Sequence, residues 1–320
     1  MIMYKIKSQP EDFIVKEITN VKLREGNYSI FLLKKKDYTT IKAIKVIANK
    51  LKIKSKRIGF AGIKDKRAVT EQYISIFRTN IRMLELKDIE LKYIGKYDKP
   101  LSPGDLKGNE FIITIKNLNN KEINKFKSNI RNIKIPNYFG EQRFSKYNKE
   151  IGKNIINDNF KKAVNLIIRN DREYRKGIKE FLKKNRNNYI GALKLIPIKI
   201  LRLYVHSYQS YLWNKTVEDH IKKRDIGNIK NIEIPIIGFG TEIEDKDIED
   251  IINKILKKEK VNPREFIIRK IPELSSEGSE RKEFIDIKNF KYRIDKDKIK
   301  LNFFLPKGCY ATTVIRYLFK

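Results

Sequence analysis

The spacing of the apolar residues changes once along this chain of 320 residues, and the change limits the folds that the chain can adopt. From Phe13 to about residue 115, apolar and polar side chains alternate in short segments, which is the pattern of β-strands. From about residue 155 the pattern becomes that of long, lysine-rich helices. Strands gathered in one part and helices in another, without regular alternation of the two, indicate an α+β fold.

Within this pattern individual elements can be assigned. Apolar residues from Ile41 to Leu51 recur at helical spacing, and either Thr39 or Thr40 can cap that helix. Further helices are expected at 121–133, 201–220 and 247–258. Strands are expected at 28–33, 57–63, 73–77, 111–115 and 299–303, with Gly108 and Asn109 as a break before the fourth of them.

The charge of the chain indicates a polyanionic partner. Lys and Arg number 72 against 39 Asp and Glu, which gives a formal net charge of +33. Folding does not need this excess, because like charges repel, whereas RNA or DNA would explain it. The alternative is a host whose proteins are generally rich in lysine. The excess is uneven, since residues 151–200 hold 13 basic and 4 acidic residues while 241–290 hold 11 and 13. This localisation favours a binding face.

Few residues are suited to a disulfide or a metal site. Cys309 is the only cysteine, and His206 and His220 are the only histidines, which excludes an internal disulfide and argues against a zinc site of common type. No window reaches the roughly 18–20 apolar residues of a membrane span, and no export signal is recognisable. We therefore expect a cytoplasmic protein with neither a metal nor a membrane partner.

A loop between two predicted strands carries an aspartate among cations. Asp65 is flanked by Lys64, Lys66 and Arg67, and nearby cations keep a carboxylate ionised. An ionised aspartate in a field that attracts phosphate can act as a nucleophile. The same residues also suit a hairpin loop in which Asp65 only stabilises a turn. The pattern of the loop leaves both interpretations open.

A second segment, residues 137–144, combines three aromatic rings, two amides and Arg143. Rings that can stack, beside side chains that can hydrogen-bond the edge of a base, suit a nucleotide that has left its helical stack. The alternative is a hydrophobic plug that follows a helix.

Six segments, in this order along the chain, resemble the TruD family of tRNA pseudouridine synthases: 7–13, 61–72, 106–111, 136–144, 211–214 and 305–312. The resemblance implies a catalytic domain with a mixed, largely antiparallel sheet, flanking helices and a central cleft. That domain is expected at 1–154 and 287–320, with an α/β TRUD domain inserted at 155–286. The expected activity is the isomerisation of one uridine in tRNA, usually the one at position 13, to pseudouridine.

The resemblance also implies roles for single residues. Asp65 falls on the family's nucleophile, and Lys7 on the lysine that pairs with it. The positions that line the uridine pocket are matched by Phe13, Asn137, Phe139 and Tyr310. We expect contacts with the RNA from Lys64, Lys66, Arg67 and Arg143. Two departures are a tyrosine at 310, where the family often has phenylalanine, and a serine after Phe144 in place of the commoner glycine.

The expected reaction needs no cofactor. The base leaves C1′, rotates and rejoins through C5, so neither a redox change nor a group donor is required. Asp65 could attack C1′ of the ribose or C6 of the base, and the acceptor of the C5 proton stays open. The main rival is a basic RNA-binding protein without catalytic activity.

Overall fold

A computed structural model describes residues 4–145, 147–222 and 231–320, apart from the side chains of Asn132 and Gln142. The chain divides into two units, one formed by Met1–Ile133 with Asp286–Lys320 and the other by Lys134–Ile285. The predicted boundaries of an inserted domain, 155–286, refer to a family domain rather than to these units and stay a prediction. Among the described residues, no helix has both the length and the apolar character needed to cross a membrane.

One sheet forms the centre of the first unit. Its strands are β1 (Phe13–Thr19), β2 (Tyr28–Lys36), β3 (Ile58–Phe60), β4 (Val69–Phe77), β5 (Met83–Leu86), β6 (Ile89–Tyr97), β7 (Leu106–Ile115), β10 (Lys288–Asp295) and β11 (Lys298–Pro306). The order across the sheet is β10-β11-β7-β1-β4-β2-β6-β5, and β3 adds to β4. In this sheet β1 and β4 run parallel, while the other pairs described are antiparallel. The prediction of an α+β fold with a largely antiparallel sheet is confirmed.

Three helices of the first unit are α1 (Thr40–Lys50), α2 (Asn120–Asn129) and α9 (Ala311–Leu318). The hydroxyl of Thr39 accepts a hydrogen bond from the amide of Lys42, so Thr39 is the cap of α1. Ala43, Ile44, Ile47 and Ala48 on one face of α1 share a core cluster with side chains of β2 and β4. The helix therefore covers one face of the strands that surround the loop of Asp65.

The second unit is mainly helical. Its helices are α3 (Asn148–Ile156), α4 (Phe160–Asn170), α5 (Arg172–Lys184), α6 (Tyr189–Lys194), α7 (Ile198–Lys222) and α8 (Lys246–Glu259). A small hairpin pairs β8 (Glu233–Ile236) with β9 (Ser279–Lys282). The fully buried Trp213 of α7 donates a hydrogen bond from Nε1 to the carbonyl of Ile234, at 3.0 Å, and so joins the long helix to this hairpin.

Several predicted bounds differ from the structure. Helix α2 ends at Asn129, and residues Ile130–Asn132 continue it as a 3₁₀ turn. Strand β3 spans three residues and not the predicted seven, because the chain leaves the sheet at Ala61. Gly108 lies inside β7, where it pairs with Ile18 on one side and Pro306 on the other. A Cβ at that position would lie 2.3 Å from the carbonyl oxygen of Leu305, so the close approach of β11 requires glycine.

Candidate active site

The parallel pair of strands explains how Lys7 meets Asp65. Ile14 of β1 pairs with Val69 of β4, so the two strands begin at the same edge of the sheet. The segments that precede them, residues 7–12 and 61–68, therefore meet at that edge. There the ammonium of Lys7 donates to Oδ2 of Asp65 and forms an ion pair with it. The carboxylate stays accessible, because the side chain of Asp65 is 46% exposed while that of Lys7 is 20% exposed.

The ammonium of Lys7 packs against an aromatic ring. Its Nζ lies 4.0 Å from the ring centroid of Phe13, a cation–π contact. The Phe13 ring is buried and meets Phe111 edge to face, with 6.1 Å between the ring centroids. The backbone of Lys7 has φ of 59°, a left-handed conformation that costs a side-chain-bearing residue about 1–2 kcal/mol. Phe13 and the backbone conformation of Lys7 thus aim the ammonium at Asp65.

The flanking cations of Asp65 divide into exposed and buried ones. Lys66 and Arg67 are exposed, and Nη2 of Arg67 donates to the carbonyl of Ser8, at 2.8 Å, which ties the loop to the segment of Lys7. Lys64, in contrast, is buried. Its side chain is 6% exposed, and its ammonium lies 2.7 Å from Oε2 of Glu17 and 2.6 Å from Oδ1 of Asn109. Burial of this ammonium gives Lys64 an internal role in place of the expected contact with phosphate.

The backbone of the loop is anchored from two further sides. The amide of Lys64 donates to Oγ1 of Thr40, at 2.9 Å, and that hydroxyl donates to the side chain of Gln72. The buried Lys35 of β2 donates from Nζ to the carbonyl of Asp65, at 3.2 Å, and to the carbonyl of Tyr38, at 2.5 Å. Asp65 thus projects from a loop whose main chain is hydrogen-bonded at the amide of Lys64 and at the carbonyl of Asp65.

In the second unit, Asn137 and Phe139 share one arginine. Arg281 of β9 donates from Nε to the carbonyl of Asn137, at 3.0 Å, and from Nη2 to its Oδ1, at 2.6 Å. The same guanidinium lies 4.2 Å from the ring centroid of Phe139. Nδ2 of the buried Asn137 donates to the carbonyl of Lys282, at 3.1 Å, so both ends of the amide have partners in the protein.

Arg143 also contacts the ring of Phe139. Its guanidinium is 5.4 Å from the centroid of Phe139, and its Nε donates to Oγ of Ser210, at 3.2 Å. The backbone of Phe139 exchanges two hydrogen bonds with the side chain of Asn214 on α7. The ring of Phe139 is therefore in contact with two guanidinium groups.

The half-buried Tyr310 belongs to the first unit. It occupies the position before α9, and its carbonyl accepts from the amide of Thr313, at 3.0 Å. Gly308, two residues earlier, has φ of 82°, which turns the chain between β11 and α9. In the first unit Lys7 thus contacts both Phe13 and Asp65. In the second unit Arg281 contacts both Asn137 and Phe139, and Arg143 contacts Phe139.

Two residues that contact these groups, Lys35 and Arg281, are not expected from the sequence. Lys35 leaves a signal in the alternation of β2, because Phe31, Leu33 and Lys35 point to the same buried face. A lysine in an inward position of a strand is rare and indicates a specific partner. For Arg281 we find no comparable signal in the local sequence. Among the described residues, no group of three or more His, Cys, Asp or Glu side chains is arranged to hold a metal ion.

Comparison with known proteins shows which family this chain resembles. The family model described as "tRNA pseudouridine synthase D (TruD)" matches residues 2–180, 169–229 and 227–318. The chain is 32% identical over 408 residues to a probable tRNA pseudouridine synthase D of Methanosarcina acetivorans, covering 99% of this chain and 92% of that protein. It is 32% identical over 379 residues to tRNA pseudouridine synthase D of Aquifex aeolicus, covering 98% of each. A crystal structure of a putative tRNA pseudouridine synthase D from Methanosarcina mazei has a TM-score of 0.76 and 31% identity, covering 98% of this chain and 93% of that one.

Proposed function

The chain belongs to the tRNA pseudouridine synthase D (TruD) family, and on that premise we propose that Asp65 is the nucleophile with which it converts a uridine of tRNA into pseudouridine. The resemblance found in the six segments is confirmed. Membership makes the protein an isomerase and decides against the rival of an RNA-binding protein without catalytic activity.

The observation that carries the role of Asp65 is its ion pair with Lys7. A nucleophile needs a charged and accessible carboxylate, and this one is half exposed while its partner is mostly buried. The ammonium of Lys7 donates to this carboxylate and fixes its direction. A turn-forming aspartate would need neither property.

The reaction can be written with the residues of the first unit. Asp65 attacks C1′ of the ribose or C6 of the uracil, the bond between the base and C1′ breaks, and the base rotates. A new bond then joins C5 to C1′, the proton on C5 is released, N1 takes up a proton, and the carboxylate leaves the atom that it attacked and is regenerated. Atoms and electrons balance without a second substrate.

The second unit offers groups for the RNA. A ring that stacks on a base stabilises an unstacked nucleotide by about 1–3 kcal/mol, and we assign this role to Phe139 together with the guanidinium of Arg143. Asn137 would reach a uracil edge only by exchanging one of its present hydrogen bonds. In the first unit, we assign contact with the target uridine to the aromatic side chain of Tyr310. We assign contacts with phosphates beside Asp65 to Lys66 and Arg67, both of which are exposed.

Replacing the nucleophile tests the proposal. Asparagine has nearly the shape of aspartate but lacks its charge and is a very weak nucleophile. The Asp65→Asn variant should therefore keep the melting temperature and the tRNA affinity of the wild type, but form no detectable pseudouridine. Pseudouridine is read by carbodiimide treatment and sequencing of the tRNA, which also tests whether the product lies at position 13, as we propose.

Asp88→Asn is the matched control. Asp88 is also an exposed loop aspartate, with φ of 61°, a conformation that asparagine adopts readily. Its replacement should leave the rate unchanged. Modification by purified Asp65→Asn at more than a few per cent of the wild-type rate would remove Asp65 from the mechanism.

A further inference from the structure

We propose that Lys35 is a positioning residue for the reaction: its buried ammonium holds the main-chain carbonyl of Asp65 and so fixes the carboxylate in its reactive direction. The inference rests on the proposed role of Asp65 as the nucleophile. It concerns a residue that touches neither the substrate nor the reacting atoms.

The geometry places Lys35 directly behind the loop of Asp65. Lys35 lies one residue before the end of β2 and pairs with Thr70 at the beginning of β4. Its side chain is about 1% exposed, so the ammonium lies inside the protein and not on the RNA-facing surface. There it donates to the carbonyl of Asp65 on one loop and to the carbonyl of Tyr38 on the loop that follows β2. One side chain thus joins two loops at the edge where the nucleophile stands.

A charged group at this position works against folding. The two preceding inward-facing residues of β2, Phe31 and Leu33, are fully buried and apolar. Burying an ammonium is unfavourable unless strong partners compensate, and both hydrogen-bond partners found here are neutral carbonyls. A methionine or leucine would fill the same space without that penalty. The position of the charge therefore indicates a function in the loop rather than in the core.

The charge state of Lys35 depends on its surroundings. Burial lowers its pKa to about 8, the carboxylate of Asp65 opposes this shift, and the ammonium of Lys64 adds to it. Each of these two neighbours has a partner of its own, since Asp65 pairs with Lys7 and Lys64 pairs with Glu17 of β1. Hydrogen bonds from a charged donor are roughly twice as strong as those from a neutral one, so loss of the proton loosens the hold on the loop.

The test replaces Lys35 with methionine, which has a similar length but no donor. With saturating tRNA in a single turnover, Lys35→Met should react about tenfold or more slowly, equivalent to the loss of a well-formed hydrogen bond in the transition state. The dissociation constant for tRNA should stay within about twofold, because a buried side chain makes no phosphate contact. The wild-type rate should fall as the pH rises past about 8, and this fall should be absent in Lys35→Met.

Lys34→Met is the matched control. Lys34 is the preceding residue of β2, with an exposed side chain on the opposite face, so its saturating rate and pH profile should match the wild type. If Lys35→Met does not fold, Lys35→Gln replaces it, with a lowered rate and no fall above pH 8 as the same expected result.

A wild-type rate in the Lys35 variants, or a lowered rate that keeps the fall with pH, would overturn the inference. Neither result affects the role of Asp65, which stands or falls with Asp65→Asn alone. An active Asp65→Asn would instead overturn the proposed function and this inference with it.

Discussion

Inward-facing positions toward the end of β2 hold Phe31, Leu33 and then Lys35, and only the last of these can gain or lose a proton. The same ammonium that fixes the loop of Asp65 is buried at the expense of stability. At the scale of one residue, we therefore expect that a rise in pH lowers the reaction rate and raises the free energy of unfolding.

The free energy of unfolding should rise with pH through Lys35. The pKa of Lys35 is about 8 in the folded protein against an ordinary value of 10.5. Below pH 8 the ammonium is charged in both states, and the folded state bears the full penalty of burial. Between these two pKa values the unfolded chain binds more protons, so the contribution of Lys35 to stability increases with pH, by up to about 3 kcal/mol.

Urea denaturation of wild type and Lys35→Met at a series of pH values measures this effect. As the pH is raised from neutrality past 8, the difference in unfolding free energy should move in favour of the wild type. Parallel curves for the two proteins would show that Lys35 does not titrate in this range.

At the scale of secondary-structure elements, α5 shows how a predicted basic face is built. Of its exposed basic residues, Arg172, Lys176, Lys179 and Lys183 follow each other at helical spacing on one side. Arg175 of the same helix is not exposed with them. It is instead half buried and donates to the carbonyls of Ile168 and Arg169 at the end of α4. The stripe of four remains available to phosphates.

Changing the stripe to glutamine should weaken tRNA binding without slowing the chemistry. The variant with Arg172, Lys176, Lys179 and Lys183 all replaced should raise KM for tRNA at least about fivefold and leave kcat near wild type, because phosphate contacts stabilise the ground state and the transition state alike. The control removes the same charge from α8, through Lys246, Lys254, Lys257 and Lys258, all exposed in the acidic part of the chain. Equal values of KM for the two variants would place the RNA away from α5.

The elements differ in how far the sequence predicted them. Strands β2, β4, β7 and β11 and helices α1, α7 and α8 are confirmed near their predicted positions. In β11, α1 and α8 one side is buried, which leaves a regular pattern in the sequence. Strand β10 was missed, since nearly all of its side chains are exposed on the edge of the sheet and no alternation results.

The candidate site was predicted from a family resemblance and not from periodicity. Lys7 and Asp65 stand 58 positions apart, and what joins them is the parallel pairing of β1 with β4. Local patterns carry no information on which strands become neighbours. The contacts of Lys64 with Glu17 and of Arg281 with Asn137 depend on the same long-range pairing, so only the structure could place them.

At the scale of the whole molecule, the net charge of +33 predicts that RNA binding weakens as salt is added. Each phosphate contact releases counterions, and the logarithm of the binding constant should fall with the logarithm of salt by about 0.7–0.9 per contact. Fluorescence anisotropy with labelled tRNA at several salt concentrations gives the slope. The glutamine variant of α5 should have a shallower slope than wild type, while Asp65→Asn keeps the wild-type slope. A salt-independent affinity would contradict the electrostatic interpretation.

Strand β7 has β1 on one side and β11 on the other, and this arrangement has a consequence for synthesis of the protein. Roughly 180 residues separate β7 from β11, including the whole of Lys134–Ile285. At about 5–20 residues per second, the ribosome needs on the order of ten to forty seconds to bridge that gap. Meanwhile the strands around Asp65 can already pair, whereas the outer edge of β7 stays open to any passing strand. The loop of Asp65 can therefore form in the nascent chain well before β11 completes the sheet.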